Sequence, residues 1–175
     1  EELLEWVVNE ERLTHTDGVE ETIADSRQAL EELRHRGNPV YGVNTGFGEL
    51  VDRSSATDPS VQGERLIYHL AAGTGDPFSP RIVRTALVIR AITLSRGYSG
   101  VRTETFRSYL ELVDSGLVPV VPRVGSLGAS GDLIPMANAV LALMGEGERY
   151  LPAEDRTEPA DRFFSTTDHE PLRPD

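Results

Sequence analysis

The chain has 175 residues, 38% of them hydrophobic and 26% charged, so it is long enough to bury roughly 70% of its unfolded surface in one core. A formal charge of −12, with all 17 basic residues Arg and no Lys, argues against a grip on nucleic-acid phosphates or anionic lipid. The absence of Cys excludes disulfide scaffolds, thiolate zinc sites and cysteine nucleophiles. No apolar run approaches the ~20 residues that span a bilayer, and Glu1-Glu2-Leu3-Leu4-Glu5 lacks a basic signal-peptide head, so a cytoplasmic protein is expected. The chain starts without Met and stops abruptly at Arg173-Pro174-Asp175, and is expected to be part of something longer.

Helix signals dominate, and the expected class is mainly α. Asp17 is placed to cap a helix running to about Arg36, with Val19, Ile23, Leu30 and Leu33 on its apolar face and Gly37 as its stop. Asn38-Pro39 breaks that pattern, and Val40 to Gly48 follows as a loop with Gly42, Gly46 and Gly48 in nine residues. A helix is expected from about Val61 to Ala72, ended by Gly73. Ser79-Pro80 opens the next one, which runs to Gly97 and is apolar around most of its circumference, as a central core helix would be. Thr103 to Ser115 reads as helix, and Leu117 to Val124 as extended chain because of Pro119 and Pro122. A helix from Leu133 to Met144 follows the Gly-rich stretch Gly125 to Asp132. Residues 1–150 therefore read as one domain, and 151–175 as a Pro- and acid-rich surface loop or truncated linker.

Neither Gly-rich loop continues into Gly-Lys-Ser/Thr, so a phosphate cradle is not supported. The four His residues (15, 35, 69 and 169) show no paired spacing, and no metal site is expected. A different chemistry suits Ala129-Ser130-Gly131. The Gly131 nitrogen can attack the Ala129 carbonyl carbon and close a five-membered ring, with Gly favoured at the attacking position because it has no Cβ. Loss of one water from the ring and a second from Ser130 leaves an exocyclic methylidene. This is an electrophile, which standard side chains do not supply. A helix starting near Asp132 would direct its positive end at the ring.

The stretch Gly125-Ser126-Leu127-Gly128-Ala129-Ser130-Gly131-Asp132-Leu133-Ile134-Pro135 closely resembles the prosthetic-group motif of the aromatic amino acid ammonia-lyases and aminomutases. Tyr41-Gly42-Val43-Asn44-Thr45-Gly46-Phe47-Gly48 resembles the tyrosine loop of that family, and Ser99-Gly100-Val101-Arg102 and Gly145-Glu146-Gly147 match in order, from about Pro39 to Glu148. The resemblance implies the N-terminal, 4-methylidene-imidazole-5-one (MIO)-bearing domain of the ammonia-lyase (fumarase/aspartase-like) fold, with the C-terminal helical part of the family absent. It implies that Ala129, Ser130 and Gly131 form MIO without metal or nucleotide, and that Tyr41 is the base that removes the substrate β-proton. Asn44 and Gly46 would shape the tyrosine loop, Gly48 would contact substrate, and Asp132 would cap the next helix or assist dehydration. Where family members often continue Ala-Pro-Leu-Ala-His, this chain has Ile134-Pro135-Met136-Ala137-Asn138, a change that bears on packing rather than ring formation.

The family reads the substrate side chain with the two residues before Ala71-Ala72-Gly73. Here these are His69-Leu70, the pair that resembles tyrosine lyases and some tyrosine aminomutases; histidine lyases tend to have Ser-His and phenylalanine lyases Phe-Leu. An imidazole can hydrogen-bond a phenol hydroxyl. The expected reaction is therefore elimination of ammonia from L-tyrosine to give p-coumarate. The alternatives are histidine to urocanate, a tyrosine 2,3-aminomutase, or an inert fragment or assembly module. The resemblance further implies a homotetramer in the full-length form, with a small aromatic amino acid as partner and neither nucleic acid nor membrane.

Overall fold

A computed structural model describes residues 13–51, 59–128 and 131–173, so the expectations for Ala129 and Ser130 lie outside the described residues. In chain order the elements are α1 (Val19–His35), a 3-10 turn (Gly48–Leu50), α2 (Pro59–Leu70), β1 (Thr74–Pro77), α3 (Pro80–Ser95) and α4 (Thr103–Asp114). They continue with β2 (Val118–Pro119), β3 (Pro122–Val124), α5 (Leu133–Leu143), β4 (Glu148–Leu151), β5 (Arg156–Pro159) and α6 (Asp161–Thr166). The mainly α class holds.

The core lies where α1, α3, α4 and α5 meet the β2 region. Ile23 enters from α1, Val83, Leu87, Val88, Ala91 and Leu94 from α3, and Phe106, Leu112 and Val113 from α4. Leu117, Val118, Val121, Ala139, Leu143, Phe163 and Leu172 join it. The recurrence of apolar residues three and four apart on α3 and α4 aligns these side chains along one face of each helix. Tyr109 is buried beside them, and its hydroxyl donates to the Leu87 carbonyl at 2.9 Å, so the phenol brings no unpaired donor into the core. Burial raises the pKa of this phenol.

Two small antiparallel sheets tie the loops together. β1 pairs with β3 in an irregular register (Thr74 with Val124, Pro77 with Pro122), and β4 lies between β2 and β5. The first sheet positions the Gly-rich stretch. It places Gly73, just after α2, against Pro122 and the start of the Gly-rich stretch. A Cβ on Gly73 would meet Pro122 Cβ and Asn138 Nδ2, both at 3.1 Å, and a Cβ on Gly125 would come 3.4 Å from the Gly73 Cα. Asn138, one of the residues that departs from the family pattern, donates from Nδ2 to the Ile134 carbonyl at 2.9 Å and packs into this junction.

Several local expectations are corrected. Asp17 does not cap α1: the capping position is Gly18, in a left-handed conformation, with no side-chain hydrogen bond. Leu33 is exposed, because only the Ile23 side of α1 faces the core. Ser79-Pro80 does open α3, but Ser79 makes no side-chain cap bond. Nor is α3 buried all round: Ile82 and Ile89 are half exposed, at 52% and 50%, along one stripe.

The segment after Leu151 also departs from its reading as a loop. It forms β5 and α6, Ala160 and Phe163 are buried, and Leu172 N–H donates to the Leu143 carbonyl at 2.9 Å. Its anchor is electrostatic as well as apolar. Glu158, 8% exposed, receives Arg149 Nε and Nη2 at 2.9 and 2.6 Å, and Arg156 Nη1 at 3.3 Å. The Arg149 guanidinium also lies over the Phe163 ring, 5.2 Å from its centroid. The hydrogen bond from Arg149, aided by both guanidinium charges, holds the Glu158 carboxyl below its ordinary value of 4.5.

A carboxylate with a depressed folded-state pKa adds stability above its unfolded value, and that stability is lost as pH falls through the folded value. Thermal stability should therefore fall on acidification below about pH 4.5, and Glu158→Gln should flatten that part of the curve. Unfolding midpoints recorded across this range for both proteins check the expectation.

Candidate active site

The loop that carries Tyr41 is organised by its own side chains. Asn44 Oδ1 accepts the Val40 N–H at 2.7 Å, and Asn44 Nδ2 donates to the Asn38 carbonyl at 2.9 Å. One Asn thus satisfies backbone groups on both sides of Pro39. Buried Thr45 accepts the Gly42 N–H on Oγ1 at 3.1 Å. Gly42 has φ +75°, and a Cβ there would come 2.7 Å from the Phe47 ring, so the position requires Gly on both counts. Phe47 meets the Tyr41 ring edge-on, with centroids 5.9 Å apart.

Tyr41 itself is 62% exposed, and its Oη accepts the Gly48 N–H at 3.1 Å. The phenol oxygen is therefore held in place while open to a ligand. Gly48, expected as a substrate contact, orients Tyr41 and begins the 3-10 turn. Gly46 accepts the Thr45 hydroxyl on its carbonyl at 3.0 Å.

The Gly-rich stretch is also cross-tied. Ser126 Oγ donates to Asp132 Oδ1 and accepts the Gly128 N–H at 3.2 Å. The Gly131 N–H turns back on the Gly128 carbonyl at 3.1 Å. Gly128, Gly131 and Asp132 all have left-handed backbones (φ +68°, +89° and +53°). Asp132 occupies the capping position of α5 but makes no cap hydrogen bond, since its carboxylate is committed to Ser126. The expectation of Asp132 as a side-chain cap is thus corrected. Its left-handed backbone, unusual for a residue other than Gly, is fixed by that same contact.

His69 and Leu70 sit on the last turn of α2. His69 is exposed and Leu70 half-buried. A shallow groove of about 230 Å³ runs between Phe47 of the tyrosine loop and Gln62, Arg65, Leu66 and His69 of α2. The structure thus joins the tyrosine loop to the expected selectivity residue. The Gly-rich stretch adjoins the same helix end through Gly73 and Gly125. A second tie links α2 to the turn after α5: the Tyr68 hydroxyl donates to Glu146 Oε1 at 2.5 Å, and this acceptor pushes the phenol pKa up to about 12. Among the described residues no hydrogen bond joins Tyr41 to Gly131 or Asp132. A larger cleft of about 720 Å³ beside α4 contains none of the motif residues.

Sequence reasoning missed Gln62, Ser126 and Tyr68. Ser126 lay inside a quoted motif but was given no role. Gln62 and Tyr68 are polar residues on an amphipathic helix, and a single sequence marks neither as a cross-tie. Among the described residues no group of three or more His, Cys, Asp or Glu could hold a metal, and no helix is long and apolar enough to cross a membrane.

The chain is similar to known proteins over most of its length. A histidine ammonia-lyase of Natranaerobius thermophilus is 40% identical over 149 residues, covering 84% of this chain and 29% of the relative. A histidine ammonia-lyase of Geobacillus thermodenitrificans is 45% identical over 129 residues, covering 73% of this chain and 26% of the relative. The solved structure of Pantoea agglomerans phenylalanine aminomutase superposes with a TM-score of 0.87 at 27% identity, covering 98% of this chain and 33% of that one. The chain thus spans between a quarter and a third of the length of these relatives. With the aromatic amino acid lyase family model matching residues 1–175 from end to end, the chain belongs to the aromatic amino acid lyase family.

Proposed function

We propose that the polypeptide carrying this sequence eliminates ammonia from an aromatic L-amino acid, using an MIO group formed from Ala129, Ser130 and Gly131. The observation that carries this reading is the left-handed turn at Gly128, Gly131 and Asp132, with the Gly131 N–H folded back on the Gly128 carbonyl at 3.1 Å. A five-membered ring between the Gly131 nitrogen and the Ala129 carbonyl carbon demands such a compact reversal. Gly131 also has open space around it, with no atom within 4 Å of a Cβ built there. The described residues that flank Ala129 and Ser130 are therefore compatible with the group. MIO supplies an electrophile for the substrate amino nitrogen and makes it a competent leaving group.

The remaining steps fall to side chains and backbone of this chain. Tyr41 Oη takes the β-proton, the electron pair left on Cβ forms the double bond, and the amino group departs as ammonia. The Gly48 N–H keeps Oη in one position, and the Asn44 and Thr45 contacts hold the backbone around it. The exposure of Tyr41 supports this role, because a base must reach the substrate.

L-Histidine is the favoured substrate, since the relatives at 40% and 45% identity are histidine ammonia-lyases. Those relatives do not support tyrosine, the substrate expected from His69-Leu70. Tyrosine stands as the second reading because His69 lines the groove with Phe47 and Leu66, where a phenol hydroxyl would find an imidazole partner. A cytoplasmic homotetramer belongs to the same proposal. The exposed apolar stripe of α3 supports packing against further polypeptide.

The test supplies the complete polypeptide with L-histidine, L-tyrosine and L-phenylalanine and follows the ultraviolet absorbance of the unsaturated acids. Urocanate from histidine alone supports the first reading. p-Coumarate from tyrosine alone replaces it with the second, and β-tyrosine would identify an aminomutase. If none of the three reacts, the inert-module reading replaces both.

A further inference from the structure

Gln62 stands at the junction of two elements that the proposed chemistry needs to hold together. It lies on the first half of α2, about two turns before His69, and is half-buried. Its Nε2 donates to the Thr45 carbonyl at 2.9 Å and, at a longer 3.4 Å, to the Gly42 carbonyl. Both acceptors are backbone carbonyls, so only the amide nitrogen can face them, and the orientation of the side chain is fixed by chemistry. These two carbonyls bracket the turn between Tyr41 and Phe47, the same turn that Thr45 Oγ1 closes through the Gly42 N–H. Gln62 and His69 also share the groove with Phe47.

We propose that Gln62 is a positioning residue for Tyr41: its side-chain amide pins the tyrosine loop to α2 and so fixes the phenol relative to the helix that ends in His69-Leu70. The inference deepens the proposed function and rests on the reading of Tyr41 as the base. Gln62 does not touch the phenol. It acts through the carbonyls of Gly42 and Thr45, whose positions set the path of the backbone between Tyr41 and Gly48. Asn44 constrains the loop only against its own stem, by bonding Val40 and Asn38, whereas Gln62 connects it to a different element.

The role requires an N–H donor with the reach of Gln. Gln62→Glu keeps shape and length but sets a carboxylate against two carbonyl oxygens, and Gln62→Lys restores N–H donors at similar reach. In the complete polypeptide, hydrogen exchange of the peptide spanning residues 41–50 should speed up about tenfold or more in Gln62→Glu. It should stay within about threefold of the unsubstituted protein in Gln62→Lys, and peptides from α3 and α4 should not change in either.

In kinetics with the substrate turned over, Gln62→Glu should lower kcat about tenfold or more with KM within about threefold, because a misplaced base affects the transition state more than ground-state binding. Unchanged exchange at residues 41–50, or equal effects of Glu and Lys, would overturn the inference. If the unsubstituted protein itself lacks the mass deficit of MIO, the proposed function fails instead, and the exchange comparison still decides the role of Gln62.

Discussion

Replacing Tyr41 with Phe is expected to lower kcat by about 10²- to 10⁴-fold, the range associated with losing a general base. The substitution is conservative for the fold. Tyr41 is 62% exposed, its ring contact with Phe47 is edge-on, and Phe retains the ring that makes it. What disappears is Oη, together with the hydrogen bond from the Gly48 N–H. KM should change little, because the β-proton is transferred only in the reacting complex. The mass of the variant should show the same deficit as the unsubstituted protein, since Tyr41 takes no part in closing the ring. Steady-state kinetics beside intact mass test both halves, and a kcat within twofold of the unsubstituted value would remove Tyr41 from the mechanism.

Ser130→Ala acts at a different point. The ring can still close between the Gly131 nitrogen and the Ala129 carbonyl carbon, but Ala has no Oγ to leave with the second water, and the methylidene cannot form. Activity should fall by about 10³-fold or more, equivalent to about 4 kcal/mol of barrier. The deficit in mass should be at most one water. Retained turnover in Ser130→Ala would mean that the electrophile arises elsewhere. Tyr41→Phe and Ser130→Ala thus give distinguishable patterns: both lose turnover, but the first keeps the full mass deficit and the second does not.

The fold was most legible where local signals were redundant. α3 begins at Ser79-Pro80 and α4 runs from Thr103 to Asp114, because a Pro suited to the first turn, or a sustained 3.6-residue apolar period, marks each without tertiary information. β2 and β3 followed from Pro119 and Pro122, which bar a helix there. Residues after Leu151 were opaque for the opposite reason. β5 exists through its pairing with β4 and the grip of Arg149 and Arg156 on Glu158, contacts that acidic, Pro-rich composition does not announce. The exposed Ile82 and Ile89 of α3 follow the same logic: periodicity reports which residues are apolar, not how many of them this chain covers.

The candidate site divided along similar lines. Tyr41, Gly131 and Asp132 stood out because their residue types occur in motifs with a defined chemistry. Ser126 became visible only when the left-handed turn brought its hydroxyl onto Asp132, and Gln62 only when α2 met the tyrosine loop. Substrate choice is the least local property of all. The pair His69-Leu70 points to a phenol, whereas the relatives at 40% and 45% identity handle histidine by name. The imidazole of His69 lies in a shallow groove shared with Phe47, so its surroundings are built by the tyrosine loop and α2 together.

The central claim is that this chain makes its own electrophile from three consecutive residues, and mass spectrometry of the complete polypeptide tests it most directly. Closing the ring and removing the Ser130 hydroxyl should release two waters, about 36 Da, from the peptide that contains Ala129, Ser130 and Gly131 and from no other. A deficit of that size in that peptide is the predicted result. An unmodified mass across residues 129–131 would contradict the account.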